Sequence, residues 1–289
     1  MFTIENEQLK VEVDKKGAEL QSIFSKEHSL EYMWNADPAF WNKRSPVLFP
    51  IVGALKDSTY HYQNESFSLP RHGFAREMNF SVQEQTEDAI VFLLESNEET
   101  RENYPFEFQF FIKYLLLDAE LSVTYGVWNK GHEEMFFSVG GHPAFKVPLV
   151  EGTTYEDYRL QFEKNETLGR WQISPDGLIE NHQVPLLQDS NTIALKKELF
   201  KDDAIVLKHL RSDSVKLMSA KTSHGIDFNF NGFPYLGIWA SPGADFVCIE
   251  PWCGIADSVD TQQDLTKKEG IRQLSPGELF EVSWKANFF

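Results

Sequence analysis

Apolar and polar residues alternate one by one along most of this chain, and a period of two leaves few folds open. Leu9, Val11 and Val13 alternate with Lys10, Glu12 and Asp14. Ile90, Phe92 and Leu94 repeat the pattern, as do Leu121, Val123, Tyr125 and Val127, and finally Phe280, Val282 and Trp284. Such stretches read as half-buried strands with one face on a core. About sixteen are expected, separated by turn signals such as Asp118-Ala119-Glu120 and Ser275-Pro276-Gly277.

Helical signals are scarce. Ser190–Phe200, SNTIALKKELF, predicts one short helix capped by Ser190 or Asn191, and Asn35–Lys43 predicts a single turn. No strand–helix–strand rhythm suggests a parallel nucleotide-binding sheet, and neither a glycine-rich phosphate loop nor an internal repeat is present. The stretch from Glu151 to Ser190 is more polar and reads as looped, yet its strand-like YRLQFE argues against a linker. The expectation is an all-β chain: one large antiparallel β-sandwich domain over residues 1–289, with few short helices. With 42% hydrophobic and 14% aromatic residues, 24 Phe and 7 Trp among them, there is ample material for its core.

Charge narrows the partners. The formal net charge is −17, a sign that repels nucleic acids and anionic membranes. No apolar run is long enough to span a bilayer; the longest lies around Tyr114–Leu117. The first residues, MFTIENEQLKVEVDKKG, lack a basic region followed by an apolar core. Cys248 and Cys253 match neither a disulfide framework nor a zinc spacing, and are expected to be reduced, buried thiols of a cytoplasmic protein.

Three segments set a titratable side chain among small residues. In PRHGFAR, His72 lies between Arg71 and Gly73 at a turn. In MFFSVGGHPAF, a continuous strand places Ser138, Gly140 and His142 on one face, nearly bare of bulk, which leaves space for a ligand. In FPYLGIWASPGADFVCIEPWCGIADS, two apolar runs flank a Ser-Pro-Gly-Ala-Asp turn. Tyr235, Gly237 and Trp239 share a face on the first run, and Phe246, Cys248 and Glu250 on the second. A carboxylate at the end of a buried strand is costly unless it is paired or working. An aromatic face with polar groups beside it suits a sugar ring.

Each feature also has a structural explanation. A histidine can simply be hydrogen-bonded in the core, Trp239 and Trp252 can be core residues, and Glu250 can pair with Arg44, Arg71 or Arg76. His72, His142 and Glu250 are a possible zinc set, but no His-x-His or HExxH spacing presets them, so no metal is expected. A serine hydrolase lacks its Gly-x-Ser-x-Gly elbow.

GAELQSI, RSPVLFPIVG, LPRHGFAR, VGGHPAF, LFKDDAIVL and FPYLGIWASPGADFVCIEPWCGIADS, in that order along almost the whole chain, are also where it resembles the aldose 1-epimerase (galactose mutarotase-like) family, especially its LacX-like branch and the hexose-6-phosphate 1-epimerases. The resemblance implies a sugar bound on a concave sheet, with no cofactor. By motif it assigns His142 as general acid at the ring oxygen and Glu250 as base at the anomeric hydroxyl. It further implies that His72 polarises the sugar and that Arg44 and Asp203 orient its hydroxyls, with Asp202 and Asp227 as alternatives to Asp203. RSPVLFPIVG stands where galactose mutarotases carry a Gly-Arg…Asn-Arg segment. Arg71 and Arg76 offer a grip for a phosphate. The expected partner is a small-molecule sugar, a hexose with or without a phosphate. Two other readings are a non-catalytic sugar-binding module on the same sandwich, and a glycosidase pairing Glu250 with Asp203 or Asp227.

Overall fold

Alternation becomes pairing. In the computed structural model, which describes residues 1–289, the ladders between strands are antiparallel throughout. One sheet of 15 strands dominates. Its order runs from Val47–Leu48 through Val139–Gly141, Phe246–Cys253, Tyr235–Trp239, Ile205–Lys208 and Tyr158–Ile173. It continues through Ser214–Ser219, Ile226–Asn229, Leu279–Phe288, Glu120–Asn129, Phe108–Leu117 and Ala89–Glu95 to Ser81–Gln85. A separate sheet of four strands is built from the N-terminal residues, Phe2–Glu5 to Leu30–Glu31.

The long sheet twists back so that its two halves face each other, as a strongly twisted sheet of this width must. Phe145 packs edge-on against Phe228 at 5.9 Å, although their strands lie far apart in the sheet order. Phe49 stacks on Phe110 at 4.4 Å in the same way. Between the layers lies one core fed by the alternating positions: Leu9, Val11, Val13, Ile90, Phe92, Leu121, Val123 and Trp284 are all essentially inaccessible to solvent. A smaller apolar cluster, including Leu48, Val52, Val206, Tyr235 and Trp252, lies apart from it on the side of the cavity described below.

Some local expectations are corrected. Instead of about sixteen strands there are 23, because several are only two or three residues long. Ser190–Phe200 is not a helix. Strand Ile179–Ala194 runs through its first half, and only Lys197–Phe200 forms a 3-10 turn. Ladder pairing of Thr192, Ile193 and Ala194 with Gln161, Leu160 and Arg159 buries Ile193, and that tertiary gain outweighs local helix propensity. The polar stretch after Glu151 is likewise no loop but a hairpin of two 16-residue strands, Tyr158–Ile173 and Ile179–Ala194. The one α-helix, Glu98–Asn103, was not among the expected elements; reciprocal side-chain hydrogen bonds of Asn97 and Thr100 cap it. The single turn in Asn35–Lys43 is present, closed by the Phe40 and Trp41 amides donating to the Asp37 carbonyl.

Candidate active site

Strand register brings the acid and the histidine together. Gly237 lies opposite Glu250 and Trp239 opposite Cys248, so these side chains share a face, as alternation requires. On the other flank of the same strand, Gly140 pairs with Trp252 and Ala144 with Cys248, which brings the intervening His142 level with Glu250. Met135–Phe145 is not one continuous strand. It breaks at Ser138, whose amide is donated to Pro50, and again at His142-Pro143. The second break turns the His142 ring over the neighbouring strand.

The bare glycines do not hold space for a ligand. A Cβ at Gly237 would lie 2.3 Å from the Trp252 ring, and one at Gly140 only 2.7 Å from it. The indole occupies both vacancies, and Trp252 becomes part of the cavity lining. At Gly141 a Cβ would meet the Tyr125 hydroxyl at 2.5 Å, a packing contact between the two layers.

The cavity, about 510 Å³, is lined by His72, His142, Glu250, Arg71, Arg76, Asp203, Lys201, Trp41, Trp239 and Trp252, with apolar groups such as Ile173 and Ile179. His142 Nε2 lies 3.3 Å from Glu250 Oε2. Glu250 Oε2 and His142 Nδ1 are both buried without a hydrogen-bond partner. Trp41 stacks on the His142 ring at 4.9 Å, and Trp239 meets it edge-on at 5.6 Å. The imidazole is thus held by aromatic contacts on two sides.

His72 has the backbone of a specialised turn. Its φ is +69°, and Gly73 follows at +71°, where a Cβ would lie 2.2 Å from the Phe49 carbonyl oxygen. Only glycine fits there, and the turn directs the His72 ring to the Gly53 amide, which donates to Nδ1 at 3.1 Å. With Nδ1 accepting, the neutral ring carries its proton on Nε2.

Burial sets the protonation states. The His142 imidazole is pushed down to about 3, chiefly by burial, with the Arg71 and Arg76 charges acting the same way. His72 is held well below its ordinary value by burial, His142 and the same arginines. Burial also raises the Glu250 carboxyl well above the usual carboxylate range, against the pull of Arg71. Burial thus favours a protonated carboxyl beside a neutral imidazole over separated charges in the ligand-free site.

Of the residues expected at the site, six line the cavity: His72, His142, Glu250, Arg71, Asp203 and Trp239. Arg44 does not. Its guanidinium donates to the Gln21 and Asn35 carbonyls, and its amide and that of Ser45 donate to Glu19 Oε1. It ties the N-terminal sheet to the strand that follows. Asp203 reaches the cavity from a left-handed turn at φ +71°, with Oδ2 3.7 Å from Arg71 Nη2. Asp227 pairs with Lys216 at 2.9 Å and is not in the lining. Trp41 and Lys201 had no signal in the sequence beyond being an aromatic and a lysine in turn segments.

His142, Cys248 and Glu250 also offer ligand atoms within 4.8 Å of one another. Burial raises Cys248 and Glu250 alike, and the Arg71 and Arg76 charges line the same cavity, both of which work against binding a cation there.

A buried carboxyl and imidazole thus line an aromatic-walled cavity on an antiparallel β-sandwich of the galactose mutarotase-like kind. The family model "Aldose 1-epimerase" matches residues 1–272, and the chain belongs to that family. It is 35% identical to chromosomal protein LacX of Lactococcus lactis subsp. lactis, over 97% of each chain. Among solved structures it is similar to a galactose mutarotase related enzyme from Lactobacillus acidophilus, with TM-score 0.95 and 39% identity over 100% of this chain and 97% of that one. A galactose mutarotase-like protein from Lactobacillus casei aligns with TM-score 0.93 and 32% identity, covering 100% of both chains.

Proposed function

We propose that the protein is a cofactor-independent aldose 1-epimerase, interconverting the α and β anomers of a hexose or hexose derivative. The observation that carries this reading is the buried Glu250–His142 pair, 3.3 Å apart and facing a sugar-sized cavity. Anomer exchange requires a proton taken from the C1 hydroxyl and one given to the ring oxygen. The ring opens to the aldehyde, the C1–C2 bond turns, and the reverse transfers close it on the other face.

The resting pair is one proton transfer from the working form. Moving the Glu250 proton to His142 Nε2 breaks one O–H bond, forms one N–H bond and leaves the net charge unchanged. It yields a carboxylate base and an imidazolium acid, poised for general acid–base catalysis. His72 Nε2–H supplies a hydrogen-bond donor to the sugar. Trp41 and Trp239 offer apolar faces for the ring's C–H groups, while Arg71 and Asp203 orient hydroxyls.

A phosphorylated hexose is the second reading, favoured by three cationic side chains in the cavity lining: Arg71, Arg76 and Lys201. Both cysteines are free and buried, which supports a cytoplasmic setting. A non-catalytic sugar-binding protein would use the same aromatic walls without needing the Glu250–His142 pair. Anomer-exchange NMR across free and 6-phosphorylated hexoses tests the proposal. Accelerated exchange for at least one sugar is expected, and sugar binding without acceleration would reduce the protein to a binding module.

A further inference from the structure

The Trp252 indole N–H is an oddity in this site. It is buried and makes no well-formed hydrogen bond, although it sits near enough to the Glu250 carboxyl to favour its ionisation, and an indole donor buried in a protein usually finds a partner. Two residues before it on the same strand, Glu250 Oε2 is likewise buried and unpartnered. An orphaned donor and an orphaned acceptor of the same cavity wall are two costs that one hydrogen bond would remove.

The ring's position favours that bond. Trp252 lies opposite Tyr235, yet its six-membered ring rests on Gly237, the residue opposite Glu250. The indole therefore leans back along its strand toward the carboxyl group. Its five-membered edge lies against Gly140 on the other side. Two glycines, on the two strands flanking Phe246–Cys253, hold the ring in this orientation, since a methyl group at either would strike it.

We propose that Trp252 is a positioning residue for Glu250: its indole N–H donates to the Glu250 carboxylate once the Glu250 proton has moved to His142. This rests on the reading of Glu250 as the base. Either protonation state offers the indole an acceptor oxygen, but the carboxylate is much the stronger one, so the bond strengthens in the charged, working state. Interactions of that kind lower a barrier more than they stabilise the ground state. The other charged or titratable groups acting on Glu250 are His142, Cys248, Arg71 and Asp203. The indole adds to the effect of Arg71 in favouring ionisation, against burial and Asp203.

The test needs no turnover. Carbon-13 NMR of the labelled Glu250 carboxyl, assigned with Glu250→Gln, gives its titration midpoint in the ligand-free protein. In Trp252→Phe, which keeps an aromatic ring in the glycine cradle, the midpoint should rise by about one to two pH units, the worth of one hydrogen bond to a charged group. In the wild-type protein the Trp252 indole proton should move downfield as Glu250 ionises. An unchanged midpoint in Trp252→Phe, or an indole resonance indifferent to Glu250, would overturn the proposal. If the wild-type protein exchanges no sugar's anomers, the epimerase reading fails by itself, and the NMR result still decides the Trp252–Glu250 bond.

Discussion

Glu250 and His142 face each other at 3.3 Å with neither side chain more than one-tenth exposed, although 108 positions separate them in sequence (250 − 142). They are in contact without a formed hydrogen bond, and Trp41 and Trp239 pack on the imidazole from two sides. Removing either member should stop catalysis without removing the cavity. Glu250→Gln and His142→Asn are each expected to lower the rate of anomer exchange by about two to four orders of magnitude. Polarimetry on freshly dissolved α-sugar measures this, with circular dichroism confirming the fold. Near-wild-type exchange in the Glu250 variant removes it as the base.

The same pair makes stability depend on pH in two opposed ways. Glu250 has a raised value in the folded state, so its contribution is fully present below the ordinary carboxylate value of 4.5 and is lost as pH rises through the folded value. Glu250→Gln does not titrate, and it should become progressively more stable than wild type as pH increases from 5 towards 8. The buried histidines act in the other direction. His142 is lowered from 6.5 to about 3, so its contribution is present above 6.5 and is lost as pH falls towards 3. Urea unfolding of both proteins across this range reads the two slopes. A stability difference that does not vary with pH would mean that Glu250 is ionised in the resting protein.

Arg71 separates the free-sugar and phosphosugar readings. Its contact with Asp203 is long and partly solvent-exposed, so Arg71→Ala should cost less than about 1 kcal/mol of stability. If the substrate carries a phosphate, the same change should raise KM at least tenfold for the phosphorylated hexose, since a charge-assisted hydrogen bond is lost. The free hexose should be affected far less. Equal effects on both would assign Arg71 to the hydroxyls.

Arg44 gives the converse case. Its guanidinium is occupied by the Gln21 and Asn35 carbonyls, away from the cavity. Arg44→Ala should lower stability by about 1–3 kcal/mol through those lost bonds and leave KM unchanged. A raised KM at full stability would return Arg44 to the substrate site.

Much of the fold was legible because one face of each strand is buried and the other is not. Where burial is two-sided, or where a strand is only two residues long, the alternation vanishes, and the strand count came out low. Ser190–Ala194 failed differently, since its helical composition is local while its ladder with Arg159–Gln161 is not. At the site, His72, His142 and Glu250 were visible as titratable residues among glycines, but the purpose of those glycines was misread. Gly140 and Gly237 make room for Trp252, a contact between three strands that spacing along one strand does not reveal. Trp41 approaches His142 from a turn, where periodicity carries no information.

The short strand Val139–Gly141 pairs with Val47–Leu48 on one side and with Phe246–Cys253 on the other. Three stretches separated by roughly a hundred residues each must therefore meet before a cavity exists, and such long closures are slow to form. During synthesis the chain carries both histidines long before it carries the strand that faces them. A nascent or truncated product ending before Phe246 would carry the glycine cradle but lack both the acid, Glu250, and the tryptophan that fills it, Trp252. The cavity is consequently a late acquisition of the folding chain, because it waits for a strand that begins only at Phe246.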